Sequence, residues 1–208
     1  MQIVAMLTML IDHIGYLFYP DDPVWRIIGR IAFPLYTYGI VLGYRYTSDV
    51  QRYIRRLLLL AILSQVPFML AFQTYALNVI FTLMAALITF VAIDRTEERN
   101  RKWLIFIAAL LITLLIPMDY GWYGVALACI YRYARPSRMV AYHLVLNLAE
   151  CLLTWNALQM FSIIPTVAIA YRPNMLQASS RWVPAWIWRS FYPAHLTILG
   201  IIVLALTW

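Results

Sequence analysis

Charge is scarce in this sequence. Asp, Glu, Lys and Arg make up 12% of its 208 residues, against 64% that are hydrophobic. A water-soluble domain of this size has no interior large enough for that much apolar surface, and the mean hydropathy of +0.75 agrees. The class expected is therefore all-α and polytopic in a membrane. No polar stretch is long enough to fold separately, so residues 1–208 are expected to form one integral-membrane domain. Cysteine is nearly absent. Cys129 and Cys151 lie in apolar stretches without metal-ligand spacing, and no metal is expected. The chain also lacks a G-x-S-x-G elbow, a P-loop, an H-E-x-x-H pair and a Rossmann glycine pattern, which excludes the chemistries those motifs carry. No repeat of fixed period is visible, against the inverted-repeat transporters. The opening segment has neither a basic n-region nor a small-x-small cleavage site, so it is read as a span and not a secretory signal.

On a ruler of about 20 apolar residues per crossing, nine spans are predicted, near 2–19, 24–43, 53–72, 77–93, 103–118, 121–134, 139–155, 157–171 and 186–207. Lys and Arg alternate between the connecting loops. Arg45, Arg52, Arg55 and Arg56 follow the second span; Arg95, Arg99, Arg101 and Lys102 follow the fourth. Arg132, Arg135 and Arg138 follow the sixth, and Arg172, Arg181 and Arg189 the eighth. The intervening loops (PDDP, QTYALN, MDYGWYG, TWNA) carry almost none. The positive-inside rule then sets the N-terminus in the cytoplasm and the C-terminus outside. The basic balance of +7 is thus topology, and a nucleic-acid partner is not expected. Trp25, Trp103, Trp122, Trp155, Trp182, Trp186 and Trp208 fall near span ends, as interfacial anchors do.

Of the 16 basic residues only 2, Arg26 and Arg30, lie outside the basic loops. The first hairpin turns at PDDP, with His13 and Arg30 each about 8 residues from its centre, so the two share a depth. Asp12, His13 and Arg30 at one level of a bilayer cost about 2.5 kcal/mol or more for each charge. Either they form a structural ion pair with a hydrogen-bonded histidine, or they are a functional site. Asp12 and His13 are about 100° apart on a helix, so Asp12 is free to hold Arg30 while His13 faces a cavity. Arg26, Arg30, Phe33 and Thr37 share a helical face. Pro34 cannot bond the Arg30 carbonyl, which predicts a kink beside the cluster.

Other polar residues compete. His195 follows Pro193 in the last span and reads as shallower than His13, nearer the cytoplasmic edge. His143, Asn147 and Glu150 share a face, as a proton relay or a polar helix contact. Ser64, Gln65 and Asn78 suit helix-to-helix hydrogen bonds. Asp119 reads as an outer-mouth residue that caps the sixth span. With metal motifs absent, a histidine general base is the chemistry left.

In order along the chain stand MLTMLIDHIG, RIIGRIAFPLYTYGIVLGY, YIRRLLLLAILSQVPF, NVIFTL, DYGWYG and FYPAHL. This series resembles the F-pilin acetylase (TraX) family over nearly the whole length, IDHIG and GRIAFP being its most specific parts. The resemblance implies N-acetylation of a peptide amino terminus with acetyl-CoA as donor. It also implies kinship with wider transmembrane acyltransferases such as the lysosomal heparan glucosaminide acetyltransferase, and a place in the bacterial inner membrane. It makes His13 the leading catalytic residue, nominates Arg30, and brings His195 into the same pattern.

The residues suit that chemistry. Amine or hydroxyl attack on a thioester needs a base and a stabilised oxyanion. His13 is the expected base, Asp12 the neighbour that favours its imidazolium, and Arg30 the oxyanion partner unless Asp12 occupies it. Arg45, Arg52, Arg55 and Arg56 are the expected dock for the phosphates of acetyl-CoA. Direct transfer and an acetyl-histidine intermediate both remain open. So does the acceptor, a pilin-like peptide amino terminus or a glycan. A proton-coupled transporter or flippase using Asp12, His13 and Glu150, and a non-catalytic assembly scaffold, are the rival readings.

Overall fold

The computed structural model describes residues 1–172 and 184–207, so Arg181, Trp182 and Trp208 lie outside the described residues. The described residues are helical apart from turns, caps and one isolated bridge between Leu77 and Met118. The helices are α1 (Gln2–Phe18), α2 (Pro23–Gly29), α3 (Ala32–Tyr46), α4 (Val50–Phe72) and α5 (Val79–Asp94). There follow α6 (Arg99–Leu115), α7 (Gly121–Tyr133), α8 (Pro136–Thr154), a 3-10 turn at Ala157–Ser162, α9 (Ile163–Tyr171) and α10 (Ala185–Thr207). A helical run lies on every predicted stretch. Among the described residues, three runs are long and apolar enough to cross a membrane by length and composition: Pro23–Tyr46, Val50–Phe72 and Trp186–Leu206.

Local chemistry sets the ends. Asp22, Asp49, Asn78 and Asn156 each cap the element that follows by accepting a backbone N–H. The predicted break beside Pro34 is present. α2 stops at Gly29, Arg30 and Ile31 use i→i−3 bonds, and α3 starts at Ala32. Arg26, Arg30, Phe33 and Thr37 therefore do not share one straight helix.

Two apolar clusters hold the bundle. One joins α3, α5, α7, α8 and α9 through residues such as Leu83, Leu87, Phe90, Val125 and Leu127. The other joins α1, α4 and α10 through Met9, Ala61, Phe68, Tyr192 and Leu196. α7 is only 13 residues long and buries nine of them, which makes it a core helix. Outward faces are apolar too: Leu59, Ile62, Leu63 and Val66 on α4, Leu111 and Leu115 on α6, and Ile198 and Ile201 on α10 are all exposed. Such faces match lipid and not water. Trp103, Trp155 and Trp186 are exposed near helix ends, as anchors would be.

Candidate active site

α1 and α2 pack at backbone distance. A Cβ built on Gly29 would lie 2.0 Å from Asp12 Oδ1 and 2.2 Å from Asp12 Cβ, so only glycine fits there. This approach places Asp12 between two arginines. Arg30 Nη2 donates to both carboxylate oxygens at 3.1 and 3.2 Å, and Arg26 Nη1 lies 3.1 Å from Oδ2. Arg30 Nε donates to the Arg26 carbonyl and Nη1 to Gln159 Oε1 at 3.1 Å, while Arg26 lies over the Tyr16 ring. Two cations thus share one anion. The surplus positive charge is held in place by partners on α1, α2 and the 3-10 turn.

His13 is not bonded to Asp12. Its partner is His195, with His13 Nδ1 2.9 Å from His195 Nε2 and both side chains buried. Of the two arrangements expected for Asp12, the one present is that in which it holds Arg30, here with Arg26, while the bonded partner of His13 is His195. The relative depth is corrected. α10 starts at Ala185, so His195 stands 10 residues into its helix and His13 stands 11 into α1. At 1.5 Å per residue those are nearly equal depths.

The hydrogen-bond pattern sets the tautomers. His195 Nδ1 lies 2.6 Å from the Phe191 carbonyl, which can only accept. Nδ1 of His195 therefore carries the proton, its neutral Nε2 accepts, and His13 Nδ1–H donates to it. The free lone pair of the pair is then on His13 Nε2. Phe72 meets His13 edge-on at 5.0 Å, and Phe191 stacks on His195 at 4.7 Å, so the pair is walled by rings.

His13 opens on a cavity of about 1010 Å³, the upper end of the range for small-molecule sites. At the end nearest the start of α1 it is lined by Met1, Tyr46, Thr47, Arg56, Trp188 and Arg189. At the opposite end it is lined by Tyr16, Thr74, Asp119, Tyr120, Glu150 and Gln159. His13 lies 11 residues from the first residue of α1 and 5 from its last. Counted along α1, the leg of the cavity on the Met1 side of His13 is the longer, about 17 Å of helix against about 8 Å on the other side.

Of the arginines expected to dock phosphates, Arg56 lines the cavity, together with Arg189. Arg45, Arg52 and Arg55 are exposed and do not line it; Arg52 pairs with Asp49 at 3.7 Å and Arg45 lies over Tyr46. Asp119 lines the cavity but does not cap α7, whose N-cap is Tyr120 without a side-chain bond. Gln65 and Asn78 bond each other and the backbone at the start of α5, as helix-to-helix contacts.

The His143 stripe divides. His143 and Asn147 are wholly buried in a donor chain that can be followed atom by atom. Tyr131 donates to Thr166, Thr166 to His143 Nδ1, His143 Nε2 to Tyr123, and Tyr123 to Asn147 Oδ1. Asn147 Nδ2 donates to Ser162 Oγ, which donates to the Gln159 carbonyl at 2.6 Å. Every member has a partner, so His143 acts as a contact. Its effect is to clamp the 3-10 turn that carries Gln159 to Arg30. Glu150, from the same stripe, faces the cavity instead. Gln159 was not singled out by sequence reasoning; its only local signal is the Asn156 cap just before it.

Together these features define an all-helical protein with the apolar outer faces of a membrane domain, built around a cavity that passes a histidine pair. The chain belongs to the TraX family: the family described as TraX protein matches residues 1–203. It is similar to "Protein TraX" of Escherichia coli strain K12, at 29% identity over 97% of this chain and 85% of that protein. It is also similar to "Probable fimbrial assembly protein FimC, serogroup H1" of Dichelobacter nodosus, at 26% identity over 96% and 92% of the two chains. No solved structure matches.

Proposed function

We propose that this chain is an acetyl-CoA-dependent N-acetyltransferase of a bacterial inner membrane, crossing it nine times with the start of α1 in the cytoplasm. The observation that carries the reading is the His13–His195 pair beside a cavity with a long and a short leg. The CoA phosphates dock at Arg56 and Arg189, and the pantetheine arm follows the long leg inward. His13 Nε2 takes a proton as the acceptor amine forms its bond to the acetyl carbon. The carbon–sulfur bond breaks, and the proton passes to the leaving CoA thiolate. His195 is a positioning residue: it holds the His13 tautomer and receives the stronger hydrogen bond of the imidazolium. Asp12, Arg26 and Arg30 set a positive potential where the oxyanion develops.

The test is a thermal-shift titration of detergent-purified protein with acetyl-CoA, CoA and ATP. ATP shares the adenine and phosphates but lacks pantetheine. Saturable stabilisation by acetyl-CoA and CoA alone is expected. Absence of a shift with all three defeats the reading.

A further inference from the structure

Among the described residues, two polar atoms at the short end of the cavity have no hydrogen-bond partner. Glu150 Oε2 is buried and accepts from no donor, and Gln159 Nε2 is buried and donates to no acceptor. Gln159 is only 8% exposed, and both side chains line the cavity. They are neighbours: Glu150 lies one turn beyond Asn147 and Gln159 one turn before Ser162, and Asn147 and Ser162 are bonded at 3.2 Å. The Tyr123 hydroxyl is close to the Gln159 amide and within electrostatic reach of Glu150. Among the described residues, the two cations lining that end of the cavity, Arg26 and Arg30, are engaged by Asp12 and Gln159 Oε1. Unmet buried acceptors and donors are costly, so such a pair fits a ligand that supplies the complement of each.

We infer that Glu150 and Gln159 form the acceptor subsite, taking a primary ammonium on the Glu150 carboxylate and an adjacent oxygen acceptor at the Gln159 amide. The inference rests on the amine-acceptor reading above and adds a site to it. It also accounts for two bases. An ammonium has no lone pair, so one proton must leave before attack and a second during it. Glu150 takes the first and becomes a neutral acid; His13 takes the second as the carbon–nitrogen bond forms. The ammonium and its neighbouring oxygen come from an amino-terminal residue or from an amino sugar, and small amines of each kind tell them apart.

The experiment is a thermal-shift titration of the full chain with L-alaninamide and D-glucosamine, each against its N-acetyl derivative, in wild type, Glu150→Gln and Glu150→Asp. One free amine should stabilise the wild type saturably while its N-acetyl form does not. Glu150→Gln should weaken that binding tenfold or more, Glu150→Asp less, with the acetyl-CoA shift unchanged in both. Equal amine binding by Glu150→Gln and wild type, or no shift with either amine in wild type, overturns the subsite. An amine shift that depends on Glu150 in a protein blind to acetyl-CoA supports the subsite and defeats the donor reading alone.

Discussion

His13 and His195 are 182 residues apart in sequence and 2.9 Å apart in space, ring nitrogen to ring nitrogen. Because the Phe191 carbonyl claims the Nδ1 proton of His195, the direction of that hydrogen bond is determined: His13 donates, and its Nε2 is left with the free lone pair. Under the proposed function the second histidine would take the orienting place that a carboxylate has in a Ser-His-Asp triad.

Each member then has a different expected defect. If His13 is the base, as proposed, His13→Ala should lower kcat by about 10²–10⁴-fold, with the CoA thermal shift retained. His195→Ala should also lower kcat, while His195→Gln recovers part of it because its amide oxygen still accepts from Nδ1–H. Thiol release from acetyl-CoA measures all three. A folded His13→Ala protein with undiminished transfer excludes His13 as the base.

Asp12→Asn leaves two partly buried guanidinium groups without the anion they share. Breaking a buried ion pair from one side costs about 3–5 kcal/mol, so a large drop in Tm is expected. Gly29→Ala should reproduce it, since its Cβ would displace the Asp12 carboxylate. Melting curves of the two variants test the cluster apart from any activity.

The Asp12–Arg30 pairing was legible in the sequence because a short PDDP turn ties two antiparallel helices, so counting residues gives depth. The break near Pro34 was legible for an equally local reason. The histidine pair was not. It depends on α10 packing against both α1 and α4, and no pattern in a uniformly apolar helix says which neighbours it chooses. Gln159 was hidden for another reason: a neutral amide in a short 3-10 turn carries no charge signal, and its importance comes from Arg30, 129 residues earlier.

His143 separates a contact from a relay. Its two nitrogens are engaged by Thr166 and Tyr123, neither of which lines the cavity that His13 lines. His143→Ala takes one hydrogen bond from each of the Thr166 and Tyr123 hydroxyls inside a buried network, at a cost of about 1–3 kcal/mol. Lower Tm with an unchanged pH profile of transfer is expected. An altered pH profile at unchanged Tm contradicts the contact role.

Among the basic residues expected to hold phosphates, position relative to the cavity should decide the effect. Arg56→Ala and Arg189→Ala should each weaken acetyl-CoA binding, and more so at low salt, where phosphate pairing is least screened. Arg52→Ala and Arg45→Ala, away from the lining, should leave it near wild type. Equal losses at all four would favour a diffuse basic surface over a defined dock.

Gly39 offers the sharpest test of the two-legged cavity. It lines the long leg, and a Cβ built on it meets only Met1 Cε, at 3.7 Å. Gly39→Ala should therefore be silent. Gly39→Trp fills the leg from its wall, beside Met1. If the pantetheine arm runs there, this variant loses the acetyl-CoA and CoA shifts while keeping the response to a free amine, which arrives through the other end. An acetyl-CoA shift that survives Gly39→Trp would place the donor elsewhere, and the long leg would need another occupant.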